Sequence, residues 1–159
     1  MNKPGPADIQ RIALLIEAEA IQLKEFLALL EREEGLLVGG DTDGLLALTH
    51  DKTDRYRQLQ RLHDDRALVL GRLGLPNNAQ SVRSLLASLP RILARWEEIL
   101  DLARQAQQRN DLNGKLITER MQHNQAALSV LLSAADHPQL YDASGQSRPT
   151  GSGRILGSA

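Results

Sequence analysis

The chain reads as an all-α protein. It is expected to be an elongated antiparallel helical bundle, close to a coiled coil, of three long helices with a short connecting helix and a disordered C-terminal tail. Three observations lead there. From Leu89 to Leu131 small and apolar residues recur at alternating steps of four and three, the seam spacing of packed helices, for roughly six heptads. Ile9, Ile16, Leu23, Leu30 and Leu37 lie at strict seven-residue spacing near the start. Finally, 42% of the 159 residues are hydrophobic but only 3% are aromatic, so the apolar content is chiefly Leu and Ala, as in bundles.

The elements follow in order. Residues 1–7 form a flexible arm containing Pro and Gly, and Asp8 is placed to cap the first helix by accepting from exposed amides of the next turn. Ile12, Ala20, Phe26 and Leu27 fill the seam beside the heptad series, and Gly39-Gly40 ends the helix because glycine accepts the left-handed C-cap conformation. Asp41 or Thr42 opens a second helix whose seam is Leu45, Leu48, Lys52, Arg55, Leu59, Leu62, Arg66, Val69 and Leu73. Its basic members either specify register or bury their stems while the charged heads reach the edge.

Gly74-Leu75-Pro76-Asn77-Asn78 is a stop, residues 79–88 suit a short amphipathic helix through Val82, Leu85 and Leu86, and Pro90 belongs to the first turn of the third long helix. That helix has the seam Leu89, Leu93, Trp96, Leu100, Ala103, Gln107, Asn110, Gly114, Ile117, Met121, Asn124, Leu128 and Leu131. The phase holds across Asn113-Gly114, so the helix is read as continuous there, about 60 Å long against ~45 Å for the other two. One of its ends therefore overhangs, and which end depends on how 75–88 folds back. The bundle domain spans 8–135 and the flexible tail 136–159, rich in Gly, Ser and Pro beyond residue 142.

Bulk properties exclude several classes. A net charge of −1 gives no general pull toward nucleic acid. No apolar run approaches the ~20 residues of a membrane span, and no leader-like apolar region follows the N-terminus, so a cytoplasmic location without membrane insertion is expected. The chain has no cysteine, which removes disulfides and thiolate chemistry.

Candidate chemistry is sparse. His50-Asp51-Lys52 invites comparison with phosphotransfer histidines, but there the Lys follows at three rather than two, so a surface histidine is expected. Glu119 and His123 share a helix face at a metal-compatible spacing, yet the Glu-x-x-His pairs on two helices that a di-iron bundle needs do not occur, and His63 beside Asp64-Asp65 reads as a solvated charged face. No catalytic residue, cofactor or metal is assigned. Trp96 belongs to the core. Asn110, Asn113, Gly114 and Asn124 either specify register, with Gly114 admitting a neighbouring helix, or mark a weak centre of the long helix. Tyr141 is either a staple on its own bundle or an anchor for a partner.

Several of these residues carry a resemblance. Leu27-x-x-Leu30-Glu31-x-Glu33, then Asp43 and Leu45 with the Lys52, Leu59, Leu62, Arg66 ladder, then Trp96, then Asn110-Asp111-Leu112-Asn113-Gly114-x-Leu116-Ile117, and Tyr141-Asp142-x-x-Gly145 resemble the FlgN-type flagellar export chaperones. The asparagine–glycine run is the specific part, and the likeness spans Ile9 to about Gly145. It implies an all-helical chaperone that binds hook–filament junction proteins (FlgK and FlgL type) and escorts them to the cytoplasmic domain of the export gate. Cargo binding in the family maps to the end of the long helix, and with the physics of an unpartnered apolar stripe this suggests Ile117, Met121, Leu128, Leu131 and Leu132. Tyr141 matches the tyrosine associated with gate docking. The alternative from another class is a structural or regulatory coiled coil that self-associates through the same stripe.

Overall fold

A computed structural model describes residues 3–122, and every described element is helical: α1 (Pro6–Gly39), α2 (Thr42–Arg72), the short α3 (Ala79–Leu85) and α4 (Pro90–Met121). α2 runs antiparallel to α1, as the pairs Glu33–Lys52 and Glu19–Arg66 show. α4 runs parallel to α1, with Arg95 on Glu17 and Arg120 on Val38. The order is up, down, up.

The helix ends follow from local chemistry. Gly40 takes φ 71° and its amide closes onto Leu36 and Leu37, so the double glycine stops α1 as the sequence predicts. The Asp41 side chain accepts from the Gly44 amide at 2.9 Å and starts α2. Asn78 does the same for α3 through the Ser81 amide, and Pro90 sits in the first turn of α4. The start of α1 differs from expectation. Gly5 is the N-cap, and Asp8 lies three residues inside, its carboxylate reaching back to accept from the Gly5 amide at 3.1 Å. Pro6 explains the shift: its fixed φ and missing N–H favour the first helical position, two residues before Asp8.

α1 is the central helix. Its buried set includes Ile12, Leu15, Ile16, Ala20, Leu23, Phe26, Leu27 and Leu30, a wider stripe than one seam needs, because α2 and α4 cover different sides of it. One large apolar cluster joins these residues to Tyr56, Leu59, Val69 and Leu70 of α2, to Val82 and Leu86, and to Trp96, Ile99, Ala103 and Ala106 of α4. A second, small cluster of Leu37, Leu45 and Ile117 closes the end where α1 turns into α2.

Two seams shift by one residue at alternate positions. On α4 the buried residues are Trp96, Ile99, Ala103, Ala106, Asn113 and Ile117, while Leu100, Gln107 and Gly114 are only half-buried. On α2, Tyr56 and His63 are buried where Arg55 and Leu62 were expected. α2 and α4 each pack on α1 and meet one another through long side chains such as Lys52 with Asn110 and Arg66 with Trp96, so neighbouring phases of the stripe compete, and the contacts rather than the spacing choose between them.

α4 is continuous through Asn113-Gly114. Gly114 is not a point of close approach: a Cβ there would meet nothing within 4 Å. At its N-terminal end α4 does not overhang, since Arg95 already meets Glu17 well inside α1. Arg120 Nη2 donates to the Val38 carbonyl at 2.8 Å, so the chain leaves the described bundle beside the α1–α2 turn. The expected continuation to Leu131 and the tail lie outside the described residues.

Candidate functional site

Between the helices the seam series contains charged residues, and they meet in two layers. The upper layer is built on Glu19, Arg66 and Trp96. Glu19 Oε1 and Arg66 Nε are 3.1 Å apart with both side chains fully buried, and the guanidinium carbon lies 4.6 Å from the centre of the Trp96 ring. A planar cation over an indole face gains electrostatic attraction that a desolvated site strengthens. Arg66 Nη2 also donates to His63 Nδ1 at 2.8 Å. A guanidinium can only donate, so a neutral His63 carries its proton on Nε2, and Asn77, whose side-chain amide lies 2.9 Å away, accepts that proton when it presents its oxygen rather than its nitrogen.

His63 is thus a buried neutral ring, not the solvated residue its acidic neighbours suggest. Burial and the adjacent Arg66 charge push its pKa down to about 4, with Asp64 opposing. The unfolded chain therefore binds the His63 proton between about pH 4 and 6.5 while the folded chain does not, so stability falls as pH drops through that window. His63→Gln keeps an acceptor for Arg66 and is expected to flatten this slope in urea midpoints taken from pH 4 to 7. A variant whose slope equals that of the parent chain would assign the acid sensitivity to other groups.

The lower layer joins all three long helices. Lys52 Nζ donates to both Glu33 carboxylate oxygens, at 3.1 and 3.2 Å, and to Asn110 Oδ1 at 2.8 Å. Asn113 Nδ2 donates to Glu33 Oε1 and to the Leu30 carbonyl, both at 2.9 Å. Lys52 is 1% exposed, so its head does not escape to the edge, and burial lowers its pKa against the pull of Glu33. Arg55 does reach the edge, where it pairs with Glu25 and Gln22.

Sequence reasoning placed Lys52 and Arg66 on the seam but missed their partners Glu19 and Glu33. The signal existed: both glutamates fall in the step series Ile12, Ile16, Glu19, Leu23, Phe26, Leu30, Glu33, Leu37. Among the expected binding residues, Ile117 is 1% exposed and packed on Leu37 and Leu45, so in this closed bundle it belongs to the core rather than to an open stripe. The side chain of Met121 and all of Leu128, Leu131, Leu132 and Tyr141 lie outside the described side chains. Asn110 and Asn113 both serve the lower layer, and Gly114 is half-buried beside it.

Other motifs stay apart. His50 is exposed and faces Asp54 at 3.6 Å, and Glu119 is exposed, with His123 outside the described residues. Among the described residues no group of three or more acidic, histidine or cysteine side chains could hold a metal ion. No described helix is long and apolar enough to cross a membrane.

A family model described as FlgN protein matches residues 1–149. The chain belongs to the FlgN family. A curated FlgN relative, the flagella synthesis protein FlgN of Escherichia coli strain K12, is 29% identical over 142 residues, covering 88% of this chain and 92% of the relative. No solved structure matches the chain significantly. The FlgN match extends past Gln122, so the family pattern includes both the bundle and the segment that leaves it beside the α1–α2 turn.

Proposed function

We propose that this chain is a cytoplasmic export chaperone for flagellar proteins. It would bind hook–filament junction proteins through the segment after α4 and deliver them to the export gate. The observation that carries this reading is the FlgN family match over residues 1–149, which takes in Leu128, Leu131, Leu132 and Tyr141 as well as the bundle. The structure supports it in one respect: the chain departs at a bundle end closed by only a small apolar cluster. In the following segment Leu131 lies in heptad phase with the buried Ala103 and Ile117, and Leu128 with the half-buried Leu100 and Gly114, so an amphipathic cargo helix could lie along them.

The test is calorimetry of the full chain with a purified junction protein, alongside two variants. Leu128→Asp with Leu131→Asp is expected to abolish cargo binding while circular dichroism shows helicity largely intact. Tyr141→Ala is expected to spare cargo binding and weaken capture by the gate's cytoplasmic domain. Equal loss of both activities in the tyrosine variant would defeat that division of labour. A stable homo-oligomer built on 117–132 with no affinity for junction proteins would favour self-assembly instead.

A further inference from the structure

α4 is held unequally along its length. Its first half contributes Trp96, Ile99, Ala103 and Ala106 to the main cluster, with Leu89, Ile92, Leu93, Leu100 and Leu102 packed around them. Beyond Asn113, Ile117 is the single fully buried apolar residue among the described side chains. Leu112 is 53% exposed, and the last attachment, Arg120 to the Val38 carbonyl, is exposed. Between the two apolar clusters lies the lower polar layer, so the cores are not continuous. Gly114 adds a residue of poor helix propensity whose missing Cβ leaves no packing partner unfilled.

We propose that the end of α4, from Asn110 to Met121, is a strap that opens locally while the rest of the bundle stays folded, and that opening delivers Ile117 to the cargo-binding stripe. Opening exposes the small cluster of Leu37, Leu45 and Ile117 and leaves the main apolar cluster covered. It also lets water reach Glu33 and Lys52, whose burial is costly even as a pair. Asn113 exchanges its two donated bonds for water, which makes their net loss modest. Leu37 and Leu45 are uncovered with Ile117, beside the point where the chain continues toward Leu128. Ile117 then stands in the same step series as Leu128 and Leu131. The coupling rests on the chaperone reading; the opening itself does not.

Native-state hydrogen exchange on the full chain tests the opening. Amides of 112–121 are expected to exchange at least tenfold faster than those of 96–106, with a weaker dependence on denaturant, as for a subglobal event. Equal rates with equal denaturant dependence along α4 would overturn the strap. Asn113→Ala tests the coupling, because it weakens closure without touching the stripe. Its 112–121 amides are expected to exchange about tenfold faster than in the parent chain. Its affinity for a purified junction protein should rise by up to about tenfold, since apparent affinity scales with the open fraction. A bond that is merely structural would leave binding unchanged or weakened, and that result rejects the coupling. If the parent chain itself binds no junction protein, the chaperone reading fails and the exchange data still decide the strap.

Discussion

Replacing Glu33 alone by Leu is expected to destabilise the bundle by about 3–5 kcal/mol, the scale of removing one partner from a buried ion pair. Lys52 would remain 1% exposed with Asn110 Oδ1 as its remaining acceptor in the layer, and burial already disfavours its charged form. The same loss is expected for Lys52→Leu, which strands the carboxylate. The double variant Glu33→Leu, Lys52→Leu is expected to recover most of the deficit, because no buried charge is left over. What remains is on the order of 1–2 kcal/mol for the amides of Asn110 and Asn113 that lose partners. Urea unfolding of the four proteins closes a double-mutant cycle. Single variants that each cost under about 1 kcal/mol would mean that water enters the layer and that the pair is not buried in solution.

The second large effect falls on Trp96. It is fully buried and backs the Arg66 guanidinium, so Trp96→Ala is expected to cost about 3–5 kcal/mol through lost burial and the cavity left behind. Part of that loss is electrostatic, because Arg66 keeps Glu19 but loses the aromatic face, a contribution of about 0.5–2 kcal/mol. Trp96→Phe separates the two effects. It retains a ring under Arg66 and removes an indole Nε1–H that has no hydrogen-bond partner among the described residues, so it is expected to cost less than half as much. Trp96 is the only tryptophan, so unfolding of these variants is followed by circular dichroism rather than fluorescence. Equal costs for Ala and Phe would show that the ring face contributes nothing at Arg66.

Both layers share one geometry, and it explains what was legible beforehand. On α1 the acidic members are Glu19 and Glu33, on α2 the basic members are Lys52 and Arg66, and on α4 Trp96 and Asn110 complete the layers. Each pair is separated by the same two heptads, so the layers repeat along the bundle. Sliding α2 by one heptad would set Lys52 and Arg66 against apolar positions and leave four buried charges unpaired. Register is therefore specified by polar contacts within an apolar seam. Reading each seam separately found the basic residues and overlooked the acidic ones. Complementarity between the seams was the available signal.

The amino-acid sequence by itself determined the all-helical class, the ends of α1 and α2 to within two residues, the starts of α3 and α4, the continuity of α4 through Asn113-Gly114 and the FlgN resemblance. Those features are local. A glycine in a left-handed cap, a proline in a first turn and an apolar period all act through residues a few positions apart. Tertiary structure alone decided which of two adjacent phases is buried on α2 and α4, that His63 and Lys52 are interior, that Asn113 rather than Gly114 meets the neighbouring helix, and that Ile117 is covered. Burial and pairing depend on where another helix stands, and the pattern of one helix carries no record of that.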